Sequence, residues 1–193
     1  MQNKPTLVLQ DVSIERGGKP LISNLSLELS GPKLLWVVGG NGIGKTSLLR
    51  TCAGLSRTAA GNVQWKIAGT QVSAPMATSF LPSNSYAKSG LRASEDAKFW
   101  TADLSAVAIA DHDMTLTQNL STGQSKRLSF AKLLADNKPI WILDEPLAGL
   151  DTDGRTLIAT HLRNHVNSGG LALVASHAPI QVHDVPTQRL LLK

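Results

Sequence analysis

A chain of 193 residues, 42% of them hydrophobic, can fill the core of one domain with room for a small inserted lobe. Its formal net charge of +5 suits nucleotides, nucleic acid or an anionic membrane surface without choosing among them, and no block of Lys and Arg forms a basic tail. A single cysteine excludes an intrachain disulfide and a cysteine zinc cluster and fits a reducing compartment, while 4% aromatics offer no platform for stacking bases.

The opening MQNKPTLVLQ has no signal-peptide core, and no apolar run approaches the roughly 18 residues of a spanning helix. Residues 6–12 predict a strand, 15–21 (ERGGKPL) a turn, and 25–29 (LSLEL) a half-buried strand by strict alternation. After a turn at 31–33, LLWVV at 34–38 is the short apolar run of a fully buried parallel strand. Residues 46–55 have helical spacing, and 62–67 alternate again. The stretch 84–119 is richer in Ala, Ser and Asp and reads as a small helical lobe. Beyond 121, Leu128, Ala131, Leu134 and Ala135 line one helix face. IWIL at 140–143 and LALVAS at 171–176 are further buried strands, separated by a helix over roughly 153–167. Strands alternating with helices predict a parallel sheet with helices on both faces. Cys52 reads as core, and His112 and His183 carry no signal. His161 and His165 share a face of the 153–167 helix, but no Glu completes a zinc motif, so they read as a solvated face.

Four stretches carry chemistry. Residues 39–46 match G-x-x-x-x-G-K-[ST] between a buried strand and a helix. Glycines let successive N–H groups point at phosphate oxygens, and the helix N-terminus adds positive potential. Lys45 reaches the β- and γ-phosphates and the Thr46 hydroxyl suits Mg²⁺. Second, IWIL ends in Asp144 and Glu145. A carboxylate at the carboxyl end of a buried strand lies beside such a loop, so Asp144 suits Mg²⁺ and Glu145 the attacking water. Third, His177 follows the strand LALVAS, from where it reaches a γ-phosphate. LSTGQ, residues 120–124, also has the form of a helix start built for phosphate.

The order of residues 39–46, LSTGQ, IWILDEP, AGLD at 148–151 and SH at 176–177 resembles the ATP-binding cassette (ABC) ATPases over nearly the whole chain. The resemblance implies an α/β P-loop core with an N-terminal antiparallel β lobe and a small inserted helical lobe. It divides the single domain into core (1–83 and 136–193) and helical lobe (84–135). It implies ATP and Mg²⁺ as ligands. Gly39, Gly40, Asn41, Gly42, Ile43, Gly44, Lys45, Thr46 and Ser47 cradle the phosphates, with Lys45, Glu145 and His177 in catalysis. In a head-to-tail pair with a second copy, Ser121, Gly123 and Gln124 of LSTGQ serve the partner's nucleotide, and Asp151 of AGLD is a further nucleotide-binding residue. Thr46 and Asp144 serve the metal. Two positions depart from the family pattern. Arg16 stands where an aromatic residue stacks on adenine, though a guanidinium plane can also stack. Asn84 stands nearest the Gln that reaches the metal and water, and is one methylene shorter.

KPIWILDEPLAGLD, GGLALVASH, EDAKFW at 95–100 and the small lobe are similar to the ATPase subunits of cytochrome c maturation systems. That closer resemblance implies integral membrane permease subunits (CcmB-like), a role in haem delivery or haem-chaperone release, and no nucleic acid. It implies a peripheral place on the cytoplasmic face of an inner membrane, or the matrix face of a mitochondrial one. The alternatives are the ATPase of an importer or lipoprotein-release system, and a soluble ABC ATPase acting on nucleic acid or the ribosome. One signature and no long coiled-coil insertion tell against the last.

Overall fold

The computed structural model describes residues 4–84, 90–177, 180 and 182–193. Two sheets dominate it. An antiparallel sheet runs in the order β2-β1-β4-β5, from β1 (Pro5–Arg16), β2 (Lys19–Ser30), β4 (Ala60–Ile67) and β5 (Thr70–Val72). A parallel sheet runs β6-β7-β8-β3-β9, from β3 (Lys33–Val38), β6 (Thr78–Leu81), β7 (Ile140–Asp144), β8 (Leu171–Ala175) and β9 (Thr187–Leu191).

The first hairpin is longer than its sequence suggests. The turn expected over 15–21 closes on Gly17 and Gly18 alone, both at positive φ (58° and 73°), so β1 and β2 extend to meet at Arg16 and Lys19. Within β1 the buried set changes parity, from Leu7 and Leu9 to Val12 and Ile14. A bulge explains it: three residues from Leu9 to Val12 oppose two from Leu27 to Leu25, with Asp11 at φ 49°. The extra residue returns Val12 to the inner face.

The parallel strands sort their side chains by the period of two. Leu35, Val37, Ile140, Ile142, Leu171, Leu173 and Ala175 pack toward the antiparallel sheet and α1 (Lys45–Cys52). Leu34, Trp141, Leu143, Ala172 and Val174 pack on the other side, against α4 (Thr122–Asp136) and α5 (Thr152–Asn167). Both faces are covered as expected, but one cover is largely a second sheet. The α4 stripe is also wider than Leu128, Ala131, Leu134 and Ala135. Phe130 and Leu133 are buried, while Leu134 and Ala135 are only half-buried.

Between β6 and β7 the described segment is mostly helical, in short pieces joined by turns ahead of one longer helix. It holds α3 (Ala93–Phe99), three short 3-10 turns at 105–107, 110–112 and 117–119, and then α4. Residues 85–89 of its expected start lie outside the described residues. An ion pair between Lys132 and the buried Asp96 ties α4 to α3. The four-residue helix α2 (Ala74–Ala77), β5, β6 and β9 were not expected from the sequence.

Candidate active site

Parallel pairing brings the chemistry to one edge. Val37 pairs with Ala175, and Ala175 with Asp144. One row of the sheet therefore ends at the glycine loop after β3, at Ser176 and His177 after β8, and at Glu145 after β7. Leu81 pairs with Leu143, so Asn84, three residues on and exposed, emerges from the same edge. This is the crevice outside the carboxyl ends of the strands, where open α/β sheets bind ligands.

The loop 39–44 feeds directly into α1. Gly44 caps that helix at φ 111°, and a Cβ there would come 3.2 Å from Leu21 Cβ. A Cβ on Gly39 would meet Ile43 Cγ2 at 2.8 Å, so the loop folds tightly on itself. Asn41, Gly42 and Gly40 are exposed around it. Lys45, 8% exposed, curls back to donate to the carbonyls of Gly39 and Gly40, at 2.8 and 2.9 Å. Its ammonium thus sits inside the curl of the loop, held by bonds that phosphate oxygens can replace.

Thr46 Oγ1 donates to Asp144 Oδ2 at 2.8 Å, joining α1 to β7. The pair presents two hard oxygen donors side by side, the chemistry a magnesium ion takes together with substrate phosphates. Among the described residues no cluster of three or more His, Cys, Asp or Glu could hold a metal unaided. Ser47 follows Thr46 on the first turn of α1 and is half-buried.

Glu145 leaves β7 with its backbone in the left-handed region, φ 49°, a strained state for Glu that costs roughly 1–3 kcal/mol. Its N–H donates to Ala175 O at 2.9 Å. Its Oε1 is buried, has no hydrogen bond among the described residues and lies 3.4 Å from His177 Nε2. An orphaned carboxylate oxygen beside an imidazole is an acceptor without its proton source, which a water molecule can be. Both side chains line a cleft of 820 Å³ bordered by Ala148, Thr152 and Arg155. The strand before His177 is steadied by Trp36, whose indole N–H donates to Ser176 O at 3.2 Å.

The signature stretch is a complete capping box. Ser121 Oγ accepts from Gln124 N–H at 3.2 Å, and Gln124 Oε1 accepts from Ser121 N–H at 2.9 Å. Ser121 itself is exposed. The Gln124 amide nitrogen is then left to donate to His112 Nε2, 2.7 Å away. Gly123 lies close to the turn after Glu145; a Cβ there would stand 3.2 Å from Gly149 O. Asp151 closes that turn as N-cap of α5, accepting from Gly154 N–H at 2.9 Å and from Arg127 at 2.6 Å. Those two bonds hold its carboxyl below the usual carboxylate range. Arg16 is exposed at the end of β1, beside the first hairpin turn.

Four side chains outside the motifs enter this picture. His112, without signal in the sequence, supports Gln124. Lys126, inside the signature helix, donates its Nζ to Glu145 O at 2.7 Å. His161 and His165 are not on a solvated face. His161 Nε2 bonds Ala106 O at 2.8 Å, and His165 stacks on Trp141 with ring centroids 3.9 Å apart. The clue was available: each lies three residues after a core leucine or isoleucine, Ile158 and Leu162, on the border of the apolar stripe.

Residues 22–148 match the ABC transporter family. The cytochrome c biogenesis ATP-binding export protein CcmA of Rhodopseudomonas palustris is 36% identical over 180 residues, 86% of this chain and 89% of its own. Its counterpart from Ruegeria pomeroyi is 36% identical, covering 89% of this chain and 85% of its own. That from Bartonella henselae is 31% identical across 94% of each. The fold superposes on a bacterial Atm1-family ABC exporter with ATP bound, with a TM-score of 0.83 at 21% identity, covering all of this chain and 38% of that one. It also superposes on a dimeric ATP-binding cassette in a post-hydrolysis state with ADP and Pi, at 0.80 and 19% identity, covering 97% of this chain and 94% of that one. The chain belongs to the ABC transporter family, as an ATP-hydrolysing subunit of the group that includes the CcmA proteins.

Proposed function

We propose that the chain powers a membrane complex of cytochrome c maturation, driving haem delivery or the release of a haem chaperone. The relatives that carry the CcmA name support this, because they match over nearly the full length. Among the described residues no helix is long and apolar enough to cross a membrane. Contact with the bilayer then comes through CcmB-like permease subunits, at the cytoplasmic face of an inner membrane or the matrix face of a mitochondrial one. The core, 1–83 and 136–193, holds the nucleotide, and the lobe 84–135 presents the signature.

The observation that carries the chemistry is the convergence of Lys45, Thr46–Asp144 and Glu145–His177 on one sheet edge. Lys45 exchanges its two loop carbonyls for β- and γ-phosphate oxygens. The N–H groups of residues 39–47 enclose the remaining oxygens. Thr46 and Asp144, with Asn84 from the neighbouring strand end, would hold Mg²⁺, which neutralises charge on the phosphates. Arg16 lies against the base. Glu145 accepts a proton from the water that attacks the γ-phosphorus, the bond to the β-phosphate oxygen breaks, and ADP and phosphate leave. His177 donates to the γ-phosphate and keeps Glu145 in place. Ser121, Gly123, Gln124 and Asp151 of a second copy complete the site.

Deleting the gene in its source organism tests the assignment. Covalent haem on c-type cytochromes, seen by haem staining of a denaturing gel, should vanish. The wild-type gene should restore it and the Glu145→Gln gene should not. Normal staining in the deletion strain would move the protein to another ABC system.

A further inference from the structure

The signature helix carries a buried cation that none of the motifs accounts for. Lys126 is 2% exposed, and its Nζ donates to the carbonyl oxygen of Glu145 at 2.7 Å. Burying an ammonium is costly unless it is paired and hydrogen-bonded. Burial does pull its pKa below the usual lysine range, and the Glu145 and Asp144 carboxylates oppose that pull. The bond therefore goes to a residue able to compensate the cation in two ways, through its carbonyl and through its charge.

Glu145 is also a residue whose backbone needs holding. It sits at φ 49°, where a Glu does not rest unaided. Its N–H is fixed by Ala175 O at 2.9 Å and its C=O by Lys126. These belong to the two peptide units flanking one α-carbon, so together they set both φ and ψ. The Cα–Cβ direction follows, and with it the aim of the carboxylate at His177. We propose that Lys126 is a positioning residue for hydrolysis: from the signature helix it clamps the Glu145 carbonyl and thereby aims the carboxylate that activates water. The clamp rests on the reading of Glu145 as the base. It also links the two halves of the machinery, because Lys126 rides on the helix that Ser121 caps, and that helix abuts the turn after Glu145 at Gly149 and Asp151.

The test is steady-state ATP hydrolysis by the full chain carrying Lys126→Met, which keeps the length and loses the donor. Turnover should fall roughly 10- to 100-fold, part of the 10²–10⁴ that a general base supplies. KM for ATP should stay within about threefold, because the phosphate loop is untouched. A Lys126→Met, Glu145→Gln double variant should be no slower than Glu145→Gln alone, since the clamp acts only through that carboxylate. Should the Met variant fail to fold, Lys126→Leu, which also lacks a donor, carries the same measurements. Three results would overturn the clamp: a Met variant with kcat within twofold of wild type, a loss confined to KM, or losses that multiply in the double variant. Glu145→Gln alone separates the two readings. Undiminished turnover there removes the base assignment itself, whereas a dead Glu145→Gln beside a fast Lys126→Met removes only the clamp.

Discussion

His165 lies flat on Trp141, the rings 8° from parallel, and its Nε2–H donates to Leu171 O at 3.3 Å. Burial outweighs the backbone carbonyls of Leu171 and Pro139, which favour the charged ring, and pushes the imidazole pKa down from 6.5 to about 4. Between those two values the unfolded chain binds a proton that the folded chain refuses. The contribution of His165 to stability is therefore level above about pH 6.5 and falls as the pH drops toward 4, by about 3 kcal/mol. Urea midpoints at pH 7.5 and pH 5 should differ for the wild type, and the difference should shrink in His165→Phe, which keeps the stack and cannot titrate. Equal differences in both proteins would mean that the ring is not held neutral. The same side chain leaves no room beside it: a Cβ on Gly170 would approach its Nε2 to 2.4 Å. At the residue scale the molecule thus contains two opposite uses of a buried polar group. His165 is kept uncharged by its surroundings, whereas Lys126 stays bonded next to the acidic pair and serves it.

α1 shows how much of an element can depend on one residue without a side chain. Its N-cap Gly44 stands at φ 111°, against Leu21 of the antiparallel sheet. Gly44→Ala should strain the backbone by roughly 1–3 kcal/mol. It should relieve that strain by opening the loop, so KM for ATP should rise more than the melting point falls. An unchanged KM would show that the loop tolerates a Cβ there. The glycine pattern made this element legible in the sequence, because a phosphate loop is a local backbone device. Asp144 and Glu145 were legible for a similar reason, standing directly after a buried apolar run. Elements without a pattern of their own were not. β9 alternates exposed and half-buried residues, β6 has four residues, and both exist because β3 and β7 pair with them. Lys126 and His112 could not be read either, since their roles rest on contacts across 19 and 12 residues of chain. His165 was misread because a face at the edge of an apolar stripe is covered or open according to what packs there, and here Trp141 does.

For the whole molecule, the position of the signature sets the question of stoichiometry. Ser121 caps α4 with its side chain on the surface, while Lys45 is nearly buried in the core loop. If each ATP is gripped by Lys45 of one copy and Ser121 of the other, hydrolysis acts as a clock that closes and opens a pair. Driving such a pair from 1:99 to 99:1 takes about 5.5 kcal/mol of differential binding. A few charge-assisted hydrogen bonds at roughly 1.5–3 kcal/mol each suffice. The arrangement has a consequence that a one-copy site lacks. Ser121→Arg places a bulky cation where the γ-phosphate belongs, and Lys45→Ala removes the cation of the phosphate loop. A homodimer of either variant has no intact site. In a mixed dimer both defects fall into one composite site, and the other keeps a sound Lys45 and a sound Ser121. Co-expressed and separately tagged, the two dead proteins should regain ATPase activity in the doubly tagged fraction. The gain should reach at most half the wild-type rate, and less if both sites must fire together. Normal hydrolysis by the Ser121→Arg homodimer would show that the signature does not reach the nucleotide. No recovery in a mixed dimer that forms and binds ATP would show that one sound site cannot act alone.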